Sequence, residues 1–320
     1  MTTAIYNYLD PKTLDRVKRL DVRARLVVEG FITGQHRSPY HGFAVEFATH
    51  REYAPGDDLR HIDWKVWSKT DRLYIKEYEE ETNLKCTILL DASKSMRYGG
   101  GPQPGSPHPD PRPNGEGGWS KFDYAATAAA SLAYLLQQQQ DAVGLVTFTT
   151  KIQKNLPASS HPNHLKLMLH ELEQTQVDEK TDVSTVFPEL ARQIRRRGMI
   201  VLLSDLFLPI PTLAESIKQF RLRRHEVVVF HVMHNDELTF PFDDNTLFRG
   251  LEENVQLHTE PRALRRSYLE AIERFQADVR KTCASAGVDY VLMNTNDPLD
   301  AVLGSYLTFR QKIRRSARQR

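Results

Sequence analysis

Three side chains in the stretch "LLDASKSM", Leu89 to Met96, could do chemistry together: Asp91, Ser93 and Ser95 place oxygens at alternate positions directly after an apolar run. A carboxylate followed by two hydroxyls, released from the end of a buried strand, is a hard-oxygen donor set of the kind that holds a divalent cation. A second apolar run, "MIVLLSD", ends on Ser204 and Asp205, and between the two lies "DEKTDVST", a strand-to-helix loop carrying Thr181. Ligands of open parallel sheets gather beyond the carboxyl ends of the strands, so these segments are expected to share one rim. The expected metal site is therefore Asp91, Ser93, Ser95, Thr181 and Asp205, two carboxylates and three hydroxyls. Mg²⁺ (or Mn²⁺) suits that set, because it prefers octahedral oxygen coordination and keeps several waters.

An enzymatic alternative starts from the same aspartate, since a strand-end carboxylate can accept a phosphoryl group. Phosphatases of that kind place a second aspartate two residues later, where this chain has Ser93, and no positioned base is evident. No catalytic residue is assigned, and the expectation is a binding protein, with a metal-dependent hydrolase using Asp91 as the alternative. The chain also lacks a G-x-x-x-x-G-K-[ST] phosphate loop, so any nucleotide energy must come from a partner.

A rim of this kind needs strands and crossovers to position it. "CTILLD", "AVGLVTF", "MIVLLSD", "HEVVVFHVM" and "VDYVLMNT" read as short buried strands, with "KIQKNLPA" as a weaker edge strand. Between them, "KFDYAATAAASLAYLLQQQQ", "HLKLMLHELEQ", "STVFPELARQIRRR", "LAESIKQFRLR" and "ALRRSYLEAIERFQADVRKTCASAG" carry apolar residues at helical spacing. Alternation of this type predicts an α/β domain with a doubly wound, mainly parallel sheet over residues 84–296. Residues 1–83 are expected to pack on that core as an N-terminal segment. It begins with a helix from Asp10 and Pro11 to Gly30 or Gly34 and continues into a β-rich elaboration with an exposed strand in "RLYIKEYEEE". Residues 297–320 are expected to form a C-terminal helix and basic tail. Residues 99–118 hold thirteen Gly or Pro in twenty positions, which predicts a flexible surface loop immediately after the oxygen cluster.

Composition narrows the classes. The 43 Lys and Arg nearly balance 41 Asp and Glu, which gives no general reason to bind nucleic acid or an anionic membrane. The tail "RQKIRRSARQR", with six basic residues in eleven, leaves a nucleic-acid or membrane-associated module as a second alternative. Cys86 and Cys283 have no partner at metal-ligand or redox spacing. No apolar stretch approaches the ~20 residues of a membrane span, and the expected location is the cytoplasm. His36, His41, His50 and His61 lack zinc-site spacing, and "PGDDLRHIDW" reads as a turn rather than a second ion site through Asp57, Asp58 and Asp63.

The D-x-S-x-S of Asp91, Ser93 and Ser95, followed by a threonine and by an aspartate ending a later strand, resembles the metal-ion-dependent adhesion site of von Willebrand factor A domains. The resemblance implies a von Willebrand A-like fold in which the serines and threonine bind the ion, the aspartates act largely through water, and a partner's Asp or Glu completes the shell. Glu179 and Lys180 stand where that family often has glycines, so Thr181, Ser184 and Thr185 remain alternatives for the threonine-type ligand. A wider resemblance is carried by "GQHRSPYHGFAVEFATHREYAPGDDLRHIDWKVWSKTDRLYIKEYEEE", "LLDASKSM" and "DYVLMNTNDPLDAVLGSYLTFR". These are similar to the bacterial domain of unknown function 58 family. That likeness implies a protein-binding adaptor or co-chaperone working with a MoxR-type AAA+ ATPase on client proteins.

Overall fold

The structure, a computed structural model, describes residues 20–35, 50–52, 74–76, 84–99, 119–177, 183–194, 196–244, 246–251 and 256–318. The chain divides into two compact units, residues 39–83 and the remainder. In the smaller unit, β1 (His50–Glu52) pairs antiparallel with β2 (Tyr74–Lys76), the latter inside the stretch that alternates in sequence.

The larger unit is built on six strands: β3 (Lys85–Asp91), β4 (Ala142–Phe148), β5 (Ile152–Ser159), β6 (Met199–Ser204), β7 (Glu226–Met233) and β10 (Asp289–Asn294). Their order across the sheet is β10-β7-β6-β3-β4-β5, and only the edge strand β5 runs antiparallel to its neighbour. The chain leaves β3 toward β4 on one side and returns through β6 on the other. Strand order therefore reverses at β3 and β6, the two strands that carry Asp91 and Ser204 at their ends.

Among the described residues, the helices around the sheet are α1 (Leu20–Gln35), which lies on the helix that follows β3, then α2 (Lys121–Gln138), α3 (His164–Gln174), α4 (Val183–Gln193), α5 (Ile210–Leu222) and, after the short α6 (Asn235–Thr239), the long α7 (Pro261–Ser285). A further helix, α8 (Leu299–Arg318), ends the described chain. Pleat alternation sorts the strands between two cores. Ile88, Leu90, Val201, Leu203 and Phe230 face α1, α2, α3 and α8, whereas Leu89, Phe148, Leu202 and Val229 face α4, α5 and α7. The run of Ala125, Ala126, Ala128, Ala129, Ala130 and Ala133 on α2 is buried, leaving little side-chain bulk between this helix and its neighbours. On the opposite face the rings of Phe148, Phe187 and Phe220 form a row, edge-to-face and then tilted, with centroids 5.5 and 5.3 Å apart.

Three elements have no counterpart in the sequence reading: α6, and the antiparallel hairpin of β8 (Thr246–Arg249) and β9 (Gln256–Thr259). At four or five residues each, they are too short for a hydrophobic period to register. The expected helix start at Asp10 and Pro11, and residues 100–118 of the Gly/Pro-rich stretch, lie outside the described residues. Among the described residues no helix is long and apolar enough to cross a membrane.

Phe187→Ala removes the middle ring of the buried aromatic row and is expected to destabilise the protein by about 3–5 kcal/mol. A lower urea midpoint at unchanged slope is the measurement that checks it.

Candidate metal centre

Asp91 is the last residue of β3, and its register places it in a row across the rim. Phe148 of β4 lies on one side, and Ser204 of β6 follows the Leu90–Leu203 pair on the other. The next strand continues the row, with Ser204 opposite His231 of β7. Apolar strand interiors therefore end together on a polar line. Asp91 is fully buried, and each of its oxygens has a donor: the Ser93 N–H donates to Oδ1 at 3.0 Å and the Ser204 hydroxyl to Oδ2 at 2.6 Å.

After Asp91 the chain turns through a 3₁₀ segment, Lys94–Arg97, pinned by the buried Met96. Ser93 flanks that turn, yet its side chain makes no capping hydrogen bond. Its hydroxyl lies 3.1 Å from that of Ser95 instead. Simple capping of free N–H groups therefore does not account for this serine. Ser95 is only partly buried, so the hydroxyl pair leads from the buried carboxyl toward solvent.

Asp205 sits one residue past β6 with its side chain almost fully buried, and it meets a residue that sequence reasoning missed. Lys121, the first residue of α2, places Nζ 2.7 Å from Asp205 Oδ2 and 2.7 Å from Glu237 Oε1. Burial alone would push the Lys121 ammonium down, but Asp205 and Glu237 together raise it above its ordinary range. Lys121 looked like one polar position at a helix start, and the only available signal was that a lysine there opposes the helix dipole.

His231, behind the rim, is fully engaged. It holds the Asp205 carbonyl through Nε2 at 2.9 Å and the Tyr290 hydroxyl through Nδ1 at 2.9 Å. Burial pushes it down to about 4, so it is neutral at physiological pH. The Asp91 carboxyl moves the other way, to about 7. Burial is the largest cause and the charge of Asp205 the next, against hydrogen bonds from Ser204 and Ser93 that favour ionisation.

The remaining expected residues divide in two groups. Thr181 lies outside the described residues. Thr185 is exposed on α4, where its hydroxyl reaches the Thr150 carbonyl at 3.4 Å, and Ser184 is also exposed on that helix. The histidine and aspartate clusters of the N-terminal segment likewise fall outside the description, apart from the backbone of His50. Among the described residues no three His, Cys, Asp or Glu side chains are grouped to hold a metal. Any ion at the rim must therefore rest on carboxylate and hydroxyl together.

The donors present fit a small hard cation: a carboxylate, two adjacent hydroxyls and a second carboxylate nearby. Charge fits as well. Asp205 and Glu237 share one ammonium, and Asp91 beside Asp205 has none of its own, which leaves two negative charges when Asp91 is ionised, the complement of a divalent ion. In the metal-free protein a proton on Asp91 relieves part of that excess.

A family profile described as "Protein of unknown function DUF58" matches residues 49–278, more than half of the chain. The uncharacterised protein Rv1480 of Mycobacterium tuberculosis is 24% identical over 294 residues, covering 90% of this chain and 86% of the relative. Among solved structures, BatB of Bacteroides thetaiotaomicron matches at 15% identity and a TM-score of 0.44, over 72% of this chain and 99% of its own. The VWA domain of SpRpn10 matches at 11% identity and a TM-score of 0.39, over 69% of this chain and 94% of its own.

The raised Asp91 carboxyl has a direct consequence for stability. Its folded value of about 7 lies above the 3.8 of an unperturbed aspartate, so the native state binds the proton more tightly than the unfolded chain. The stabilisation from that proton is complete below 3.8 and is lost as pH rises through 7. Asp91→Asn, which cannot ionise, is expected to gain on the chelator-treated wild type as pH rises from 4 to 7, by up to about 1.4 kcal/mol per pH unit. Parallel urea titrations across that range measure the difference.

Proposed function

The chain belongs to the family described as "Protein of unknown function DUF58", and from that premise we propose that it is a metal-dependent protein-binding adaptor or co-chaperone. It works with a MoxR-type AAA+ ATPase on client proteins. The observation that carries the reading is the pairing of the Ser93 and Ser95 hydroxyls, 3.1 Å apart, beside a fully buried Asp91 at the point where strand order reverses. Asp91, Ser93 and Ser95 hold Mg²⁺ or Mn²⁺. Thr181 is the further hydroxyl donor, and Asp205 contributes from the first shell or from behind it.

A bound ion supplies a positive charge with an open position at the protein surface. Because hydroxyls and water would fill the remaining positions around a hard cation, a carboxylate oxygen from an Asp or Glu of a partner is the natural group to take the open one. Hydrolysis needs a base as well as an ion. The candidates near Asp91 are committed elsewhere: His231 is neutral and hydrogen-bonded at both nitrogens, and Asp205 is paired with Lys121. Binding without turnover is the chemistry this arrangement favours.

Three outcomes are expected. Asp91→Ala abolishes Mn²⁺ binding in calorimetry while circular dichroism stays that of the wild type. The same substitution removes the Mg²⁺-dependent proteins, the ATPase among them, from a pull-down analysed by mass spectrometry. The purified chain shows no phosphatase or ATPase turnover with Mg²⁺. Turnover that persists through purification and disappears in Asp91→Asn would replace the adaptor reading with the enzymatic one.

A further inference from the structure

Lys121 is placed where a cation is hardest to keep. It stands at the first residue of α2, where the helix dipole is positive, and its side chain is fully buried. A buried ammonium is stable only when paired and hydrogen-bonded, and here two carboxylates converge on it, each at 2.7 Å. The ring of Phe207 lies 4.8 Å from the same nitrogen. Asp205 is bound at both ends: Oδ2 accepts from Lys121, while the Phe207 N–H points at Oδ1 from 3.4 Å.

We infer that Lys121 is the standing counter-cation of Asp205, neutralising that carboxylate and fixing it in place so that it offers the ion site no ligand oxygen. The inference deepens the ion-binding reading above and rests on it. For Asp205 to ligate a divalent ion through Oδ2, it must first give up a buried ion pair. Breaking such a pair costs a factor on the order of a hundred or more in affinity. The dication would also have to approach a fixed ammonium of like sign. The ion is therefore held at the Asp91, Ser93 and Ser95 end, with one carboxylate in direct contact and its remaining positions left to hydroxyls, water and the partner.

Lys121 also ties this end of the sheet to the corner after β7. Glu237 accepts from Lys121 through one oxygen and from the His234 N–H through the other, at 2.8 Å, closing the capping box of α6. Asp236 of the same turn receives the Tyr98 hydroxyl at 3.3 Å, and Tyr98 follows the serine turn directly. One lysine thus positions the second carboxylate and braces the loop that carries the hydroxyls.

The test is Mn²⁺ calorimetry on the full chain, comparing wild type with Lys121→Met and with the charge-balanced double variant Lys121→Met, Asp205→Asn. The double variant removes the pair without changing net charge, and its affinity is expected to stay within about tenfold of wild type. Lys121→Met alone, which frees Asp205, is expected to bind Mn²⁺ more tightly. A folded double variant that loses about tenfold or more means that Asp205 supplies a ligand oxygen, and the inference falls. A second measurement needs no substitution at the pair. In ¹⁵N-lysine-labelled wild type, the slowly exchanging Lys121 ammonium resonance is expected to persist when Mg²⁺ is added. Its loss on Mg²⁺ addition overturns the assignment even if the variants do not fold. A wild type that takes up no Mn²⁺ removes the ion site altogether, an outcome distinct from a loss confined to the double variant.

Discussion

Burying a carboxyl group at the end of a central strand is the constraint to which the rest of this structure answers. Asp91 has no exposed surface, and a second carboxylate, Asp205, follows the neighbouring strand. Two like charges in a poorly solvated place cannot both persist without compensation. Hydrogen bonds from Ser93 and Ser204 supply part of it, a proton on Asp91 supplies part in the metal-free protein, and Lys121 supplies the rest. Each compensating group comes from a different element, so the polar cluster cross-links β3, β6 and α2 at one rim.

That cross-linking explains why apparently remote features have the residues they have. Gly99 adopts φ +95°, and a Cβ there would lie 2.4 Å from the His234 ring and 2.6 Å from the Trp119 carbonyl. Only glycine lets the chain pass that point and carry Tyr98 onto His234, with ring centroids 5.0 Å apart. On the other side of the rim Leu206 also takes a left-handed conformation, at φ 56°, without the excuse of being glycine. It turns the chain so that Leu206 is buried and Phe207 is partly exposed, stacked on Phe275 at 5.6 Å. Backbone strain of this kind commonly sits beside functional groups.

The corner after β7 has its own apolar support. Phe240, Phe242, Phe248 and Tyr268 form a ring cluster in which Phe240 lies 4.5 Å from Tyr268 and 5.6 Å from Phe248. This cluster anchors the hairpin of β8 and β9 and fixes the turn that presents Asp236 and Glu237. The rim is thus held from below by sheet register and from the side by an aromatic plug.

Much of this was legible in the residues themselves. Strand and helix alternation from Leu84 onward follows from hydrophobic period, which is local, and the observed sheet has the expected doubly wound, mainly parallel arrangement, while the antiparallel direction of its edge strand came only from the structure. The proximity of Asp91 to Ser204 and Asp205 was also accessible, because strands of a parallel sheet end on one rim whatever their spacing in sequence. The short α6 and the β8–β9 hairpin were not accessible, since segments of four or five residues are stabilised by what they pack against. Lys121 is the sharpest case. Apart from its unfavourable place at a helix start, nothing in "WSKFDYAAT" distinguishes it from a solvated lysine, because its role depends on carboxylates 84 and 116 residues away. Sequence determined which oxygens could meet at the strand ends, because strand direction and pleat are properties of neighbouring residues. Only the tertiary structure decided which charges face one another, because buried ion pairs are made by distance in space, and distance in space is set by the packing of every element at once.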